Sequence, residues 1–172
     1  MTNNVDPLIV GRVIGNVLDL FVPEVFMSVN YGPKHISNGC EIKPSFASYA
    51  PTVQITGKSC DHFTLVMVDP DSPNPSEPLL REWVHWVVVN IPGGTNPLYG
   101  DEVVPYMGPT PHLGIHMYVL VQFQQKPPFP PMTPPASRAN FNTRDFAANF
   151  NLGQLVSAIF FNAQREPKGR KH

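Results

Sequence analysis

The chain has 172 residues, of which 42% are hydrophobic and 15% are charged, and its formal net charge is −1. This length and composition can bury the core of one domain, which we place at residues 1–172, and they exclude a chain that is disordered as a whole. A nearly neutral chain also argues against binding nucleic acid or anionic membranes through bulk charge, so we expect no direct nucleic-acid binding.

The numbers and positions of proline and cysteine residues indicate the fold class and the cellular compartment of the protein. The 21 prolines would disrupt a helical bundle, whereas an all-β or loop-rich domain places them in turns and at strand edges. Cys40 and Cys60 form no CxxC motif, and no signal-peptide pattern precedes them. These features predict reduced thiols in an intracellular protein. No apolar run reaches the ~20 residues of a membrane span, so no membrane span is expected.

The first predicted element is a helix near the N-terminus. Asp6 is a suitable N-cap residue, and Pro7 suits the first helical position. Glycine lowers helix propensity, so Gly11 and Gly15 act against the continuity of this helix. Apolar residues at near-helical spacing nevertheless extend the pattern until Pro23 ends it: Ile9, Val13, Val17 and Leu20.

Strands are predicted through the rest of the chain. The strand at residues 63–68 is apolar nearly throughout, which predicts burial on both of its faces. Clusters of Pro, Gly, Asn and Ser separate the strands, as turns require. Because the strands do not alternate with helices, the pattern predicts a mainly β fold, a β-sandwich with a few short peripheral helices. The predicted strands span residues 26–31, 52–56, 63–68, 83–91, 115–123 and 156–161.

Three further features are predicted in the C-terminal third. Residues 126–137 are too rich in proline for a β ladder and should form an external loop of polyproline character, either a plain surface loop or a ligand for a partner. Thr143 should cap a short helix that ends at Gly153. Residues 166–172 include a basic run and should form a flexible tail.

Four ionisable side chains stand at the ends of predicted strands. Asp69 and Asp71 follow one strand, His85 lies near the start of the next, and His116 begins a third. If the two histidine-bearing strands are neighbours, the imidazoles approach each other across the sheet. A turn at Pro70 would direct both carboxylates into the same opening. The residues therefore predict a small polar pocket on a β scaffold.

Four interpretations of this cluster remain open from the residues alone. In the first, the aspartates cap a turn and each histidine is satisfied in the core. In the second, the cluster binds a metal, because His112 and His116 have ligand spacing, although that spacing suits a helix. In the third, Ser72 or Ser76 is a nucleophile, although no Gly-x-Ser-x-Gly elbow is present. In the fourth, imidazolium and N–H groups bind an anion, and binding weakens as pH rises.

Three motifs resemble the signatures of phosphatidylethanolamine-binding proteins. They are Asp-Pro-Asp-Ser-Pro at residues 69–73, Arg-Glu-Trp-Val-His-Trp at 81–86 and Gly-Ile-His at 114–116. Further segments, which extend the resemblance over nearly the whole chain, are similar to the plant branch that includes Flowering Locus T and Terminal Flower: residues 6–15, 32–36, 64–71 and 140–144.

Within that branch the chain looks most like the Mother-of-FT class. Trp83 stands where Flowering Locus T proteins carry Tyr and Terminal Flower proteins carry His. The segment at residues 91–97 and the ending Glu166-Pro167 are also similar to that class. Its members are associated with seed germination and hormone responses.

The resemblance implies a Greek-key antiparallel β-sandwich with an anion pocket and no enzymatic turnover. The pocket would accept phosphorylated small molecules or phospholipid head groups, without a cofactor or a metal. Plant members act as adaptors in cytoplasm and nucleus, where they meet 14-3-3 proteins and bZIP transcription factors. The implied pocket residues are Asp69, Asp71, Trp83, His85, Pro109, His116 and Tyr118.

Two departures from the family pattern modify these expectations. Met117 replaces the arginine that follows the motif histidine in the family pattern. Because side chains alternate along a strand, Met117 should point away from His116, and the pocket should survive. A salt bridge that the arginine could form on the opposite face of the strand is in doubt. Cys60 and Pro128 stand where the 14-3-3 surface of Flowering Locus T proteins has arginines, whereas Pro92 and Tyr99 fit that surface. Each lost guanidinium contact removes ~1.5–3 kcal/mol, so weaker 14-3-3 binding is expected.

These observations lead to three hypotheses for function. The first is a regulatory adaptor with an anion pocket that controls flowering or germination through partners, with Pro92, Tyr99 and Arg138 on the partner surface. The second is an inhibitor of kinases or serine proteases that acts by occlusion and needs no pocket ligand. The third is a hydrolase with His85 or His116 as its base. We expect the first, and no enzyme.

Overall fold

The computed structural model describes residues 7–19, 21, 23 and 26–167. The strands within these ranges are β1 (Met27–Tyr31), β2 (Lys34–His35), β3 (Cys40–Glu41), β4 (Thr52–Ile55), β5 (His62–Asp69), β6 (Trp83–Pro92), β7 (Asp101–Val104), β8 (His116–Gln125) and β9 (Leu155–Ala163). The helices are α1 (Pro7–Val10), α2 (Val13–Asn16) and α3 (Thr143–Asn149), with single 3₁₀ turns at Pro44–Ala47 and Pro97–Tyr99.

The strands form two sheets, as a β-sandwich requires. The small sheet has three strands in the order β2-β1-β4, and the large sheet has six in the order β3-β9-β8-β5-β6-β7. Neighbouring strands are antiparallel except for β3 and β9, which are parallel. The predicted fold class is therefore confirmed, and all six predicted strands are present within a few residues of their expected bounds.

The large sheet buries both of its faces. Alternate residues of β5 enter two hydrophobic clusters: Leu65 and Met67 lie between the two sheets, whereas Val66 and Val68 lie on the outer face. The helical segments cover that outer face, since Leu8 and Phe146 belong to the outer cluster. The uniformly apolar sequence of β5 follows from this position at the centre of the fold.

The predicted N-terminal helix is wrong as a continuous element. It breaks into the single turns α1 and α2, because Arg12 adopts a left-handed conformation with φ of 63° and Gly15 has φ of 112°. Gly11 is held at this break by close packing, since a Cβ atom there would lie 2.5 Å from the ring of Phe160. The predicted N-cap Asp6 and the apolar Leu20 lie outside the described residues.

The predicted C-terminal helix exists but begins and ends differently. Its N-cap is Asn142, whose side chain accepts a hydrogen bond from the backbone N–H of Asp145. Thr143, the expected cap, instead donates both its N–H and its hydroxyl to the buried carboxyl of Glu82. The helix ends at Asn149, ahead of Gly153.

The proline-rich segment at residues 126–137 contains no helix or strand. Most of it is exposed, but Phe129 and Met132 pack against the outer cluster. None of the helices within the described ranges has the length and apolarity needed to cross a membrane. The strands β2, β3 and β7 were not predicted because they have only two to four residues and carry no apolar alternation.

Candidate functional site

The predicted site residues lie at neighbouring strand ends on one side of the large sheet. The two histidine-bearing strands, β6 and β8, are not neighbours, because β5 lies between them and pairs with both. Asp69 ends β5 and is therefore placed between His85 of β6 and His116 of β8. The two histidine-bearing strands were expected to be neighbours, and this is wrong. The carboxylate of Asp69 lies between the two imidazoles instead.

An irregularity in β6 sets the direction of His85. Met67 pairs with Trp86 and Val68 pairs with Val84, which leaves His85 as an extra residue opposite the junction. Such a β-bulge redirects side chains and interrupts strict alternation. Residues 87 and 89 accordingly face the outer cluster, whereas His85 faces the cleft.

These strand ends border a cleft of about 210 Å³, which we call the imidazole cleft. Two loops complete it, residues 70–82 between β5 and β6 and residues 105–115 between β7 and β8. The loops touch, since a Cβ atom on Gly114 would lie 2.8 Å from Pro75. The cleft is lined by Asp69, Ser72, Pro73, Leu80, Trp83, His85, Thr110, His112 and His116.

His116 and Asp69 form a buried ion pair inside the cleft. The Nδ1 atom of His116 lies 2.7 Å from the Oδ2 atom of Asp69, and its Nε2 atom lies 2.9 Å from the carbonyl oxygen of Leu113. Both partners only accept hydrogen bonds, so both ring nitrogens must donate and the ring is an imidazolium. Burial alone would lower the pKa of His116, but the Asp69 carboxylate outweighs burial and the pKa is raised.

His85 has the opposite charge preference. Its side chain is 1% exposed, and its Nδ1 atom donates to the carbonyl oxygen of Met107 at 2.6 Å. Burial lowers the pKa of His85 below its ordinary value of 6.5, so the neutral ring with a proton on Nδ1 is favoured at neutral pH. The remaining nitrogen, Nε2, then offers a lone pair.

Two neutral donors are buried at the cleft. The indole N–H of Trp83 has no hydrogen-bond partner in the part of the chain that the structure describes, whereas the hydroxyl of Tyr118 lies beside the Asp69 carboxylate, to which it can donate. The Tyr118 ring lies beneath the cleft, with its centroid 5.2 Å from that of His85 and 6.4 Å from that of His116. Burial, with the nearby Asp69 carboxylate, raises the pKa of Tyr118, so its hydroxyl stays protonated.

The remaining predicted pocket residues do not line the cleft. Asp71 turns toward β8, where its Oδ2 atom accepts from the backbone N–H of Met117 and its Oδ1 atom lies 3.8 Å from Arg81. Burial raises the pKa of Asp71, partly offset by that N–H donor. Pro109 is buried beside the lining residue Thr110. The expectation that both carboxylates look into one opening is therefore wrong, since only Asp69 does.

The geometry bears on the metal and nucleophile interpretations as well. No three metal-ligating side chains converge within the described ranges, and both ring nitrogens of His116 are already donors to oxygen. Ser72 lies in the cleft, but no hydrogen bond joins its hydroxyl to either imidazole in the structure described. Ser76 is exposed and lies outside the cleft lining. The cleft therefore lacks the base-activated hydroxyl that acyl transfer needs.

Comparison with known proteins identifies the family. Residues 33–162 match the family model described as phosphatidylethanolamine-binding protein. The chain belongs to the phosphatidylethanolamine-binding protein family. This family member is 55% identical to Protein MOTHER of FT and TFL1 homolog 2 of Oryza sativa subsp. japonica, over 99% of both chains. It is 51% identical to Protein TERMINAL FLOWER 1 of Arabidopsis thaliana, over 99% of this chain and 97% of that protein.

Solved structures support the same fold. The chain superimposes with a TM-score of 0.83 on a carboxypeptidase Y inhibitor complexed with its cognate proteinase, at 24% identity and covering 94% of each chain. The TM-score is 0.79 for a phosphatidylethanolamine-binding protein from Plasmodium vivax, at 18% identity, covering 93% of this chain and 96% of that chain. At these identities the likeness concerns the fold. The predicted family, plant branch and likeness to the Mother-of-FT class are confirmed.

The three residues that depart from the family pattern lie away from the lining of the imidazole cleft. Met117 packs into the outer cluster, on the face of β8 opposite His116 and Tyr118, as alternation predicted. Its backbone still binds Asp71. Cys60 and Pro128, which stand where related proteins were expected to carry arginine, are both exposed.

The residues predicted for the partner surface differ in their exposure to solvent. Tyr99 is 69% exposed, and Pro92 is half-buried at the end of β6. Arg138 instead directs its guanidinium to three backbone carbonyl oxygens, those of Val84, His85 and Pro105. In this family member Arg138 therefore braces the strand that carries His85.

Sequence reasoning missed several cleft residues of this family member. Leu80 and Thr110 carry no chemical motif, and only the contact between their two loops brings them to the cleft. Three exposed aliphatic residues are sequence neighbours of lining residues but do not belong to the lining: Leu79, Leu113 and Ile115 are 74%, 63% and 56% exposed.

Proposed function

We propose that this protein is a non-enzymatic regulatory adaptor whose imidazole cleft binds an anion, a phosphate or the head group of a phospholipid, and which regulates flowering or germination through protein partners. The relatives named MOTHER of FT and TFL1 homolog 2 and TERMINAL FLOWER 1 support the regulatory part of this proposal. The cleft supports the ligand part.

The observation that carries the ligand proposal is the buried indole N–H of Trp83, which has no acceptor among the described residues. Leaving a buried polar group unsatisfied costs about 1–3 kcal/mol, so a ligand oxygen that reaches the Trp83 indole recovers that energy. The Asp69 carboxylate would repel an anion, but the His116 imidazolium beside it neutralises the pair.

The same geometry supports a binding role rather than catalysis. The neutral form of His85 is favoured at neutral pH, both nitrogens of His116 are engaged, and no cleft hydroxyl in the described structure is bonded to an imidazole. A general base needs a free lone pair within reach of a proton that it removes. Of the two buried imidazoles, only His85 has one, on Nε2, and no carboxylate orients its ring. His112, the third imidazole of the lining, is exposed and has no orienting hydrogen bond among the described residues.

NMR titration tests the ligand proposal directly. The chain has two tryptophans, so W83F assigns the cleft indole N–H signal and removes the donor together with one ring of the indole. W86F makes the same change at an indole that donates to Glu102 and is the matched control. Inorganic phosphate, phosphorylethanolamine and a short-chain phosphatidylethanolamine should each shift the Trp83 signal, and choline chloride should not. Absence of a saturable shift with all three phosphates would end the proposal.

The pH dependence provides a second readout. Burial lowers the pKa of His85 below 6.5, so this ring adds no cation to the cleft at neutral pH, and any gain in affinity from its protonation should begin only below pH 6.5. A phosphodiester, whose charge is constant between pH 7 and pH 5, is the probe. W83F should bind it more weakly at both pH values, whereas W86F should match the wild type. A gain in affinity that depends on His85 and begins above pH 6.5 would contradict the assigned protonation state.

The adaptor part is tested separately with protein partners. Purified 14-3-3 protein and bZIP transcription factors from the same plant should be retained by the immobilised wild type. Because exposed Cys60 and Pro128 offer no guanidinium, retention of 14-3-3 should increase in the C60R/P128R variant. Absence of any retention by either form would remove the adaptor function while leaving ligand binding in place.

A further inference from the structure

A second concave site lies away from the imidazole cleft. It is an apolar groove of about 380 Å³ between the small sheet and the segment that follows β3, and it shares no lining residue with the cleft. Its apolar walls are Tyr31, Pro33, Ile42 and Phe46. Tyr31 and Ile42 are each 3% exposed and form a fixed floor, whereas Phe46 is 68% exposed and stands at the edge.

The floor of the apolar groove offers no free polar group. The hydroxyl of Tyr31 lies 2.7 Å from the hydroxyl of Tyr106, which in turn donates to the carbonyl oxygen of Ala47. Burial raises the pKa of Tyr31 well above its ordinary value, so the floor stays neutral. A ligand body that contacts this floor must therefore be apolar.

The charges of the groove lie at its rim. Lys34, Lys43 and Glu41 line it, and neither lysine forms an ion pair within 4.0 Å in the part of the chain that the structure covers. Glu41 accepts from the side-chain amide of Gln164. Glu166 accepts from the backbone N–H and hydroxyl of Ser45, and the charge of Lys43 helps to lower the pKa of Glu166. The lining therefore holds two cations and one carboxylate, which favours an incoming anion.

The described part of the chain ends close to the groove. Glu166 is bound to Ser45, which directly precedes the groove residue Phe46. The predicted basic run after Pro167 lies outside the described residues.

We infer that the apolar groove binds a small amphipathic organic anion, with an apolar ring system or chain against Tyr31, Ile42 and Phe46 and a carboxylate or sulfonate at Lys34 and Lys43. A cavity of a few hundred Å³ with apolar walls and few polar groups is typical of small-molecule sites. This site is independent of the anion proposed for the imidazole cleft.

Two matched fluorescent probes test this inference. Anilinonaphthalene sulfonate carries the required apolar rings and anion, and N-phenyl-1-naphthylamine has the same rings without the charge. The wild type should bind both saturably, with the sulfonate bound more tightly at low salt. The K34Q/K43Q variant should lose about tenfold in affinity for the sulfonate and keep its affinity for the neutral probe.

Controls separate the groove from non-specific binding. K58Q/K126Q removes two exposed lysines elsewhere and should leave both affinities unchanged. F46S removes an exposed wall residue, so folding should persist while both probes bind more weakly. Excess inorganic phosphate at constant ionic strength should not displace either probe. The inference is overturned if neither probe binds saturably, if K34Q/K43Q binds the sulfonate as the wild type does, or if F46S leaves both affinities unchanged.

Discussion

The imidazole cleft and the apolar groove distribute charge in opposite ways. In the cleft, ionised groups such as Asp69 and His116 are buried and paired, and the indole N–H of Trp83, which has no partner among the described residues, is neutral. In the groove, the walls are apolar and satisfied, and the unpaired charges of Lys34 and Lys43 are exposed at the rim. Ligand affinity and stability should therefore be coupled in the cleft and separable in the groove.

The largest expected effect comes from breaking the buried pair. D69N leaves the His116 imidazolium without its counter-charge in a site where Asp69 is 3% exposed, so we expect a loss of about 3–5 kcal/mol of unfolding free energy in urea at pH 6. K34Q/K43Q, at the exposed groove rim, should change stability by less than about 0.5 kcal/mol. Equal effects of the two variants would contradict the comparison.

The D69N effect should also depend on pH. The pKa of His116 is raised in the fold, so its contribution to stability is fully present below the ordinary value of 6.5 and is lost as pH rises through the folded value. The difference between wild type and D69N should therefore shrink in alkaline solution. Urea titrations from pH 6 to pH 9 provide the measurement, and a difference that grows with pH would refute the assignment.

A second carboxyl, that of Glu82, tests how pH affects stability when a buried carboxyl has no cation in hydrogen-bond contact. Glu82 is 2% exposed and is bonded to Thr143 rather than to a charged partner, and burial raises its pKa from 4.5 to about 7. The protonated form is favoured in the fold, so stability should fall by up to about 3 kcal/mol as pH rises from 4.5 through 7. E82Q should remove this dependence and be the more stable form at pH 8.

The control for Glu82 is an exposed carboxylate of the adjoining loop. E77Q should retain the wild-type pH dependence, because Glu77 is exposed in the loop that leads to β6. If E82Q and the wild type show the same pH profile, the carboxyl of Glu82 does not titrate near neutrality, and the proposed contrast with Asp69 fails.

The smallest expected effect concerns the neutral groups of the cleft. Y118F removes a buried hydroxyl that lies beside the Asp69 carboxylate, so stability should fall by no more than about 1 kcal/mol. Phosphate affinity should also fall. A loss of stability in urea titration as large as that of D69N would contradict this ranking.

The sequence predicted most of the sandwich because its long strands carry strong apolar patterns. It did not predict the order β8-β5-β6, since strand order depends on contacts between residues far apart in the chain. The β-bulge at His85 could not be predicted from the sequence either, because it is defined by the pairing of β6 with β5. The N-terminal helix was overestimated because packing of Gly11 on Phe160 overrides the periodicity.

The candidate site was partly predictable for similar reasons. Asp69, His85, His116 and Trp83 line one cleft, but Asp71 turns to the backbone of Met117. The charge states of the imidazoles could not be read from residue types. They depend on two backbone carbonyl oxygens, of Met107 and Leu113, that only the folded loops bring into place.

The central claim is that the two buried imidazoles of the cleft differ in charge, with His116 cationic and His85 neutral. Long-range ¹H–¹⁵N NMR of the histidine rings at pH 7, with H85Q and H116Q for assignment, measures this directly. The account predicts that both nitrogens of His116 are protonated and that His85 carries its proton on Nδ1 alone. A neutral His116 or a doubly protonated His85 at that pH would contradict it.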